Sequence, residues 1–247
     1  MPHTTAGQTV LLTGAAGNIG RAFRRLAGER YQLRLADTKP IHLGKNEHAA
    51  TIALDVADLA ACREACRGID TVIHLAADPS PEAGFYESLL ENNVKGVYNV
   101  YRAAADQGVG RVIFASSVHT CGGYPAGFQP HTDTAPRPPN LYGASKAFGE
   151  AIGSVFAAQE GLTSVAIRIG AFEHGPKDPA HPDPSEAAFF VSARDLVQLI
   201  ERCVTADLTG FHVVHGLSNN RLPAFDISST RALVGYEPQD DGFAYHG

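Results

Sequence analysis

Short apolar segments alternate with helical segments along most of this chain, and that alternation limits the folds it can adopt. Runs of β-branched and apolar residues indicate strands, whereas apolar residues that recur every three or four positions indicate helices. Strands are predicted at 8–13, 31–36, 51–54, 70–75, 111–115, 163–169 and 211–214, and helices at 18–29, 58–66, 88–107, 141–159, 192–203 and 226–234. Such alternation is typical of an α/β fold in which helices cover both faces of a doubly wound parallel sheet.

A glycine-rich turn joins the first predicted strand to the first predicted helix. Gly14, Gly17 and Gly20 have the spacing that lets backbone N–H groups approach a pyrophosphate at the positive end of a helix. Asp37 follows the second strand, where a carboxylate can accept both ribose hydroxyls of NAD and repel the 2′-phosphate of NADP. Lys39 leaves NADP as the lesser alternative. The two features predict a Rossmann fold that binds NAD.

Tyr142 and Lys146 are four residues apart near the start of a predicted helix, so both side chains reach the same cleft. A free phenol has a pKa of about 10, too high for a base at neutral pH. A neighbouring ammonium and an oxidised nicotinamide would both lower that pKa. Ser116 and Ser117 follow a predicted strand, where a hydroxyl could polarise a substrate oxygen. These residues predict acid–base chemistry on a carbinol.

The composition disfavours several classes of partner. The chain has 20 Lys and Arg against 26 Asp and Glu, without the basic excess that is typical of nucleic-acid binders. No stretch approaches the roughly 20 apolar residues of a membrane span, and residues 1–9 lack the features of a secretion signal. Cys62 and Cys66 share a predicted helix face, which is more typical of reduced, partly buried thiols than of metal ligands. We therefore expect a cytoplasmic protein with no bound metal, nucleic acid or membrane.

The motifs together resemble the extended short-chain dehydrogenase/reductase superfamily, and the resemblance covers nearly the whole chain. The residues that carry it are the glycine turn, Asp37, Asp55-Val56, His74-Leu75-Ala76-Ala77, Asn93, Ser116-Ser117, Tyr142 and Lys146. The resemblance implies that Ser117, Tyr142 and Lys146 are the catalytic residues. It also implies a set of contacts to NAD, which comprises Gly14, Gly17, Asn18, Ile19, Gly20, Asp37, Asp55, Val56, Leu75, Ala76, Ala77, Asn93, Tyr142, Lys146 and Ile169.

Within that superfamily, the segments 111–119, 141–150 and 165–170 resemble the uronate dehydrogenases most. Those enzymes oxidise the anomeric carbon of a hexuronate to an aldarolactone with NAD, so the resemblance implies a small sugar or sugar-acid substrate. The substrate contacts that it implies are Val118, His119 and Ala171.

The substrate side departs from the uronate dehydrogenase pattern. Val118 replaces an Asn, Ala171 replaces a Ser, and the segment 184–187 lacks the Arg that holds the substrate carboxylate in that family. Because an Arg forms a bidentate, charge-assisted contact with a carboxylate, its loss removes the usual recognition of an acid sugar. The cations that could replace it are Arg137, Lys177 and Arg194.

Two proline-rich segments, 122–140 and 174–184, are longer than ordinary connections and are predicted to form substrate walls or lids. We predict an NAD-binding domain over 1–170, which includes the catalytic helix. A small substrate-binding region over 171–247 is predicted to pack on it without folding independently. The predicted helix 141–159 has a larger apolar face than one sheet requires, which favours a homodimer or larger homo-oligomer. That face consists of Ala144, Phe148, Ala151, Ile152 and Val155.

The sequence therefore favours an NAD-dependent oxidoreductase that oxidises a carbinol, including an anomeric one, of a small sugar or sugar-acid molecule. Nucleotide-sugar epimerases and dehydratases share the three catalytic residues, but they usually have a larger C-terminal region than the one after Gly170. A non-catalytic NAD-binding regulator is the third alternative. Such proteins typically lose the Tyr or the Lys, and this chain has both.

Overall fold

The computed structural model describes residues 7–45, 47–173 and 184–244. The strands are β1 (Thr9–Thr13), β2 (Gln32–Asp37), β3 (Ala50–Ala53), β4 (Thr71–His74), β5 (Arg111–Ser117), β6 (Thr163–Ile169), β7 (Ala171–Phe172), β8 (Phe190–Val191) and β9 (Phe211–Gly216). The helices are α1 (Asn18–Ala27), α2 (Leu59–Cys66), a π-helix (Phe85–Lys95) that continues into α3 (Gly96–Asp106), α4 (Leu141–Glu160), α5 (Pro184–Ala187), α6 (Ala193–Thr205) and α7 (Ser228–Val234). Short 3-10 helices follow α1 and β5, at Gly28–Arg30 and Val118–Thr120.

Seven of these strands form a parallel sheet in the order β3-β2-β1-β4-β5-β6-β9, and β7 pairs separately with β8. The predicted α/β fold with a doubly wound parallel sheet is therefore confirmed. The strand order reverses between β1 and β4. At such a point the sheet opens a crevice at the carboxyl ends of its strands, and ligands bind there. The crevice thus lies between the turn after β1 and the segment after β4.

An apolar layer is buried on each face of the sheet. On one face, Phe23 of α1 and Leu199 of α6 belong to the same buried cluster as Leu12 of β1. On the other face, Tyr101 of α3 and Phe156 of α4 pack with ring centroids 5.7 Å apart. A Leu or Phe side chain contributes about 1.5–3 kcal/mol when it is fully buried. The helices that carry the predicted site residues are therefore held against the sheet by buried apolar contacts.

A third apolar cluster lies beyond the carboxyl ends of β5 and β9. It joins Val118 and Cys121, which start the loop after β5, to Leu217, Phe225 and Ile227 from the C-terminal part of the chain. Tyr124 of the predicted wall 122–140 packs against this cluster, so one small core joins that segment to the C-terminal part.

Strand β5 is longer than predicted. The sequence predicts that it ends at residue 115, but Ser116 and Ser117 continue the ladder by pairing with Arg168 and Ile169 of β6. In most sequence patterns a polar residue marks the end of a strand. Here the pairing with β6 extends the strand through two polar residues. Ser117 is therefore held in the sheet and not in a loop.

The helix predicted at 88–107 is the second correction. It begins earlier, at Phe85, and its first 11 residues form a π-helix with backbone hydrogen bonds that reach back five residues, as from Leu89 to Gly84. π-helices are rare and occur frequently at functional sites. Strand β9 also continues to Gly216, beyond the predicted 211–214, and the short β7–β8 pair was not predicted. Of the predicted wall 174–184, residues 174–183 lie outside the described residues.

In the described part of the chain, no helix is long and apolar enough to cross a membrane. Nor do its His, Cys, Asp and Glu side chains form a group of three that could hold a metal ion. All four cysteines are buried free thiols. Burial raises the pKa of Cys62 and of Cys66 to about 12, so both stay protonated at neutral pH.

Candidate active site

The turn after β1 has the shape of a dinucleotide cradle. Gly14 has a φ of +69°, and a side chain there would lie 2.7 Å from the backbone nitrogen of Ala76 after β4. A side chain on Gly20 would lie 2.5 Å from the carbonyl oxygen of Gly14, so α1 packs directly on the turn. Gly17 precedes α1, and no described side chain caps that helix. Its first N–H groups are thus available to an anion, which fits the pyrophosphate of NAD.

The predicted adenosine side lies next to that turn. Asn18 and Ile19 open α1, as expected for residues beside a pyrophosphate. The carboxylate of Asp37, at the end of β2, accepts bonds from the backbone N–H of Ala16 and of Lys39, both at 2.9 Å. These bonds hold the carboxylate beside the glycine turn, where ribose hydroxyls could reach it.

Asp55 and Val56 follow β3, one strand further from the centre of the sheet. The Asp55 carboxylate accepts the backbone N–H of Ala57 at 2.8 Å, and Val56 is buried. Both residues therefore lie at the same carboxyl edge of the sheet as Asp37, and their contact with the adenine stays a prediction.

The side chain of Asn93, on the π-helix, forms hydrogen bonds that join the segment after β4 to α4. The Asn93 side chain accepts the backbone N–H of Asp78 at 2.8 Å and donates to the carbonyl oxygen of the same residue at 3.0 Å. It also donates to the hydroxyl of Ser145 on α4 at 3.1 Å. Leu75, Ala76 and Ala77 directly precede Asp78, so the hydrogen bonds between Asn93 and Asp78 also limit their movement.

The three predicted catalytic residues meet at the carboxyl end of β5. Lys146 Nζ lies 5.6 Å from the centroid of the Tyr142 ring and donates to the carbonyl oxygen of Ala115 at 2.8 Å. Ser117 lies two residues further along the same strand, near enough for its hydroxyl to lower the pKa of the Tyr142 phenol. Ile169 pairs with Ser117 across the ladder between β5 and β6. A hydroxyl, a phenol and an ammonium group therefore converge on one point of the crevice.

Burial dominates the protonation of this site. It raises the pKa of Tyr142, whereas the nearby Ser117 hydroxyl lowers that pKa and the charge of Asp78 raises it further. Burial also lowers the pKa of Lys146 to about 8. In the protein without cofactor, burial therefore keeps the pKa of the phenol above its ordinary value. The expected lowering by the ammonium group together with an oxidised nicotinamide stays a prediction.

Asn140 connects the start of α4 to His119 in the loop after β5. Its side-chain oxygen accepts the backbone N–H of Gly143 at 2.8 Å and so caps α4. Its side-chain nitrogen lies 3.1 Å from Nδ1 of His119. The half-buried imidazole meets the Tyr142 ring edge-on, with ring centroids 5.5 Å apart. The structure therefore brings His119, a predicted substrate contact, beside Tyr142.

Val118 and Ala171, the other predicted substrate contacts, follow β5 and β6. Val118 is 8% exposed and belongs to the small apolar cluster with Leu217. Ala171 is half-buried and begins β7. Because β5 and β6 are neighbours, both positions belong to the same end of the crevice as Ser117.

The cations predicted to replace the missing Arg have different surroundings. The Arg137 guanidinium stacks over the ring of Tyr124, 5.5 Å from its centroid, within the loop 122–140. Arg194 forms an exposed ion pair with Asp240. Lys177 lies outside the described residues. Neither of the two described guanidinium groups is bonded to a predicted catalytic residue.

Sequence reasoning missed a buried ion pair behind the catalytic residues. Arg168 of β6 and Glu150 of α4 are 2% and 5% exposed, and two N–H···O contacts of 2.9 Å join them. Glu150 also accepts the Ser116 hydroxyl at 2.6 Å, and Arg168 donates to the carbonyl oxygen of Thr134 at 3.3 Å. Two features of the sequence could have indicated this pair. Arg168 is a charged residue inside a mostly apolar strand, and Glu150 lies one helical turn after Lys146.

Two further polar side chains at the site were assigned no role from the sequence. The Asp78 carboxylate accepts the backbone N–H of Ser80 at 2.9 Å and the Ser88 hydroxyl at 2.5 Å. His74, at the end of β4, is bonded through Nδ1 to the Thr13 hydroxyl at 2.8 Å. Burial, with a smaller effect of the Lys146 charge, lowers the pKa of His74 to about 3, so the ring is neutral.

The chain matches the NAD dependent epimerase/dehydratase family over residues 10–201. It is 37% identical to an NAD-dependent glucose-6-phosphate dehydrogenase of Haloferax volcanii, over 97% of this chain and 97% of the relative. It is also 37% identical to a uronate dehydrogenase of Pseudomonas putida, over 96% of this chain and 86% of the relative. The crystal structure of uronate dehydrogenase from Agrobacterium tumefaciens has a TM-score of 0.87 at 34% identity, and the match covers 96% of this chain and 86% of that one. Its fold, its site and these similarities agree that the chain belongs to the NAD-dependent epimerase/dehydratase family, the extended branch of the short-chain dehydrogenases.

Proposed function

We propose that this protein is an NAD-dependent dehydrogenase that oxidises the anomeric carbinol of a small sugar. The observation that carries the proposal is that Ser117, Tyr142 and Lys146 meet at the carboxyl end of β5: the Ser117 hydroxyl lowers the pKa of the Tyr142 phenol, and Lys146 Nζ lies 5.6 Å from the centroid of that ring. The names of the relatives, a glucose-6-phosphate dehydrogenase and a uronate dehydrogenase, support both the cofactor and the sugar.

The residues proposed to hold NAD follow the carboxyl ends of the strands. The N-terminal turn of α1 would receive the pyrophosphate, and Asp37 the hydroxyls of the adenosine ribose. Asp55 and Val56 would border the adenine, and Lys146 would bind the nicotinamide ribose. The further proposed contacts on the nicotinamide side are Leu75, Ala76, Ala77, Asn93, Tyr142 and Ile169. When bound, oxidised NAD supplies the hydride acceptor.

Tyr142 is the base of the proposed reaction. Its phenolate oxygen takes the proton of the substrate hydroxyl while the C–H bond of the same carbon breaks and the hydride leaves. The Ser117 hydroxyl holds the substrate oxygen during this step. The positive charges of Lys146 and of the oxidised nicotinamide oppose the burial that raises the pKa of Tyr142. The product of an anomeric oxidation is a lactone.

We propose an uncharged sugar, rather than a uronate, as the preferred substrate. The support is electrostatic: Asp78 puts a negative charge near the reacting phenol, which disfavours an anionic group close to the oxidised carbon. Val118 and Ala171 also replace polar residues of the uronate dehydrogenase pattern. Of the described cations considered for carboxylate binding, Arg194 is already paired with Asp240.

We also propose that residues 1–170 bind NAD and that residues 171–247 complete the substrate side. The support is the contact of Leu217 and Phe225 with Val118 under the loop 122–140. Within 171–247, β9 extends the large sheet and α6 packs in the same apolar layer as α1. This sharing of one core favours a region that does not fold independently.

Self-association is proposed to use the outer face of α4. Phe148 and Val155 on that face are 36% and 45% exposed, and Tyr98 of the neighbouring α3 is 44% exposed. A contiguous apolar patch of this kind is typical of a protein contact. Light scattering at micromolar concentration is expected to give a mass of two or more chains for the wild type and of one chain for Val155→Arg. A wild-type mass of one chain would rule out this part of the proposal.

A cytoplasmic location is proposed on the four free, buried thiols, because reduced cysteines are typical of that compartment. Fractionation of the source cells tests it, and recovery of the protein outside the cytosolic fraction would contradict it.

The decisive experiment is NADH formation by the purified protein with neutral aldoses, hexose 6-phosphates and hexuronates. We expect the highest kcat/KM with a neutral aldose. Tyr142→Phe is expected to lower kcat by about 10²–10⁴-fold, because it removes the general base. Its affinity for NAD should stay within about twofold of the wild type, since the ring is kept.

Tyr98→Phe is the matched control, since it removes a phenol hydroxyl on α3 and should leave kcat unchanged. Full turnover by Tyr142→Phe would contradict the assigned chemistry. Tight NAD binding without oxidation of any sugar would contradict the dehydrogenase function, and turnover of hexuronates alone would contradict the preference for an uncharged sugar.

A further inference from the structure

We propose that Asn140 is a positioning residue that fixes the tautomer of His119, so that the imidazole presents an Nε2–H donor to the sugar. The proposal rests on the proposed function, because it assigns a use to a residue on the substrate side. Its basis is a pair of contacts made by the Asn140 amide. The amide oxygen accepts the backbone N–H of Gly143, and the amide nitrogen lies within hydrogen-bond distance of Nδ1 of His119.

The cap of α4 decides which way the Asn140 amide points. The backbone N–H of Gly143 can only donate, and it lies 2.8 Å from Asn140 Oδ1, so the amide oxygen must face the helix. Asn140 has the extended backbone of an N-cap residue, with φ −152° and ψ 171°. The amide nitrogen therefore faces the other way, toward His119 Nδ1 at 3.1 Å. A reversed amide would set two N–H groups against each other and abolish the cap.

The orientation of this amide sets the proton position on the imidazole. An amide nitrogen can only donate, so His119 Nδ1 must accept and carries no proton. Burial lowers the pKa of His119, which favours the neutral ring. In a neutral ring without a proton on Nδ1, the proton is on Nε2. His119 is therefore an Nε2–H donor before any substrate binds.

His119 lies where such a donor would serve the reaction. Its backbone N–H donates to the Ser117 hydroxyl at 3.2 Å, and its ring packs edge-on against the Tyr142 ring. His119 is only half-buried, so part of the residue remains accessible to a ligand. A donor of fixed position selects a substrate that offers an oxygen lone pair there, such as a ring oxygen or an alkoxy oxygen of a sugar.

Asn is the one capping side chain that makes both contacts. Ser, Thr and Asp also cap helices, but they do not combine an acceptor for the helix with an amide donor for Nδ1. The backbone is packed just as closely here, since a side chain on Gly143 would lie 2.4 Å from the carbonyl oxygen of His119. These contacts fix the position of the start of α4, which carries Tyr142, relative to His119.

Asn140→Asp and Asn140→Ser test this inference. Asp keeps an oxygen for the Gly143 N–H but offers Nδ1 an acceptor, so we expect the His119 proton to move to Nδ1. Ser keeps a cap and removes the donor, so we expect a mixture of tautomers. The direct measurement is the pair of imidazole ¹⁵N chemical shifts of His119 without sugar, assigned by the signals that disappear in His119→Gln.

The kinetic consequence is measured at saturating NAD. We expect Asn140→Asp to lower kcat/KM for the sugar by about 10- to 100-fold, as for an unsatisfied polar group, and Asn140→Ser to lower it less. The affinity for NAD should not change, because neither residue is among the proposed contacts to the cofactor.

Three results would overturn the inference. They are a wild-type ring protonated on Nδ1, an Nε2–H signal that persists in Asn140→Asp at a pH where its imidazole is neutral, and a switched tautomer with unchanged kcat/KM. The imidazole measurement needs no sugar, so it separates this inference from the proposed function. A tautomer that switches as expected, in a protein that oxidises no sugar, would overturn the dehydrogenase function and the use of the donor while leaving the Asn140–His119 coupling in place.

Discussion

The proposed cofactor side and the proposed substrate side of the crevice are built by different means. On the cofactor side the backbone provides the shape: the glycine turn follows β1 directly, and its Gly14 touches the backbone at Ala76 with no room for a side chain. On the substrate side, the loop 122–140 is held by groups that are distant in sequence. Arg168 donates to the carbonyl of Thr134, and the small apolar cluster adds contacts from beyond β9.

The difference suggests how one fold serves several substrates. A cradle of backbone N–H groups needs only correct strand register and glycine at a few positions, so it suits one dinucleotide in many proteins. A loop held by remote side chains can be rebuilt without any change to the sheet. This contrast agrees with the departures from the uronate dehydrogenase pattern, which lie on the substrate side and spare the cofactor motifs.

The largest expected effect comes from removing the buried cation of the substrate side. Arg168→Met leaves the Glu150 carboxylate buried without its partner, which is expected to lower the free energy of unfolding by about 3–5 kcal/mol. The carbonyl of Thr134 also loses its guanidinium donor and keeps only the 3.8 Å contact with the Cys121 thiol, so KM for the sugar should rise while the Kd of NAD stays the same. Urea unfolding and titration of NAD by fluorescence measure the two effects.

The double variant Arg168→Met/Glu150→Leu sharpens that test. Removing both charges should restore most of the free energy of unfolding, since apolar replacements of a buried pair are often as stable. It should not restore KM for the sugar, because the Thr134 carbonyl still lacks the guanidinium donor of Arg168. A loss of NAD affinity as large as the loss of sugar affinity would show that the two sides of the crevice are not independent.

A smaller effect is expected from Gly20→Ala on the cofactor side. The added carbon would lie 2.5 Å from the carbonyl oxygen of Gly14 and 2.8 Å from the backbone of Ala15, so the turn or the helix must shift. Overpacking of this kind costs about 1–3 kcal/mol. We expect the Kd of NAD to rise by calorimetry, with KM for the sugar nearly unchanged at saturating NAD.

Gly110→Ala is the control for that variant. Its added carbon would make only an ordinary contact, 3.7 Å from Asp70, ahead of β5 and opposite the crevice. An equal rise of Kd in both variants, or a Gly20→Ala protein with unchanged NAD affinity, would refute the role given to the turn.

The sequence signals that predict the cofactor side are local. The glycine spacing, Asp37 and the Tyr–Lys pair each lie within one strand–turn–helix unit, so their positions follow once the parallel sheet is recognised. The order of the central strands then brings Ser117 and Tyr142 to the same edge.

The substrate side could not be predicted to the same depth, because its contacts join remote segments. Glu150 and Arg168 meet only where α4 crosses β6, and no periodicity in either segment indicates the partner. The raised pKa of Tyr142 in the protein without cofactor could not be predicted for the same reason. Burial is the sum of many remote contacts, whereas the four-residue spacing to Lys146 is visible in the sequence.

The smallest expected effect comes from Asp78, which lies where the two sides meet. Its negative charge raises the pKa of Tyr142, so Asp78→Asn should lower that pKa. The base form of Tyr142 is the phenolate, and a lower pKa populates it at lower pH. The rising limb of kcat against pH should therefore move to lower pH, and hexuronates should gain more kcat/KM than neutral aldoses, since a repulsive charge has been removed.

Asp207→Asn makes the same change of net charge at an exposed position ahead of β9, and should leave both properties unchanged. Asn at position 78 can still accept the backbone N–H of Ser80, so the local turn is retained. A pH profile that stays in place or moves upward would show that Asp78 does not act on the phenol. A gain shared equally by charged and neutral sugars would mean that Asp78 affects the base but not the choice of substrate, and the preference for an uncharged sugar would then have to come from the loop 122–140.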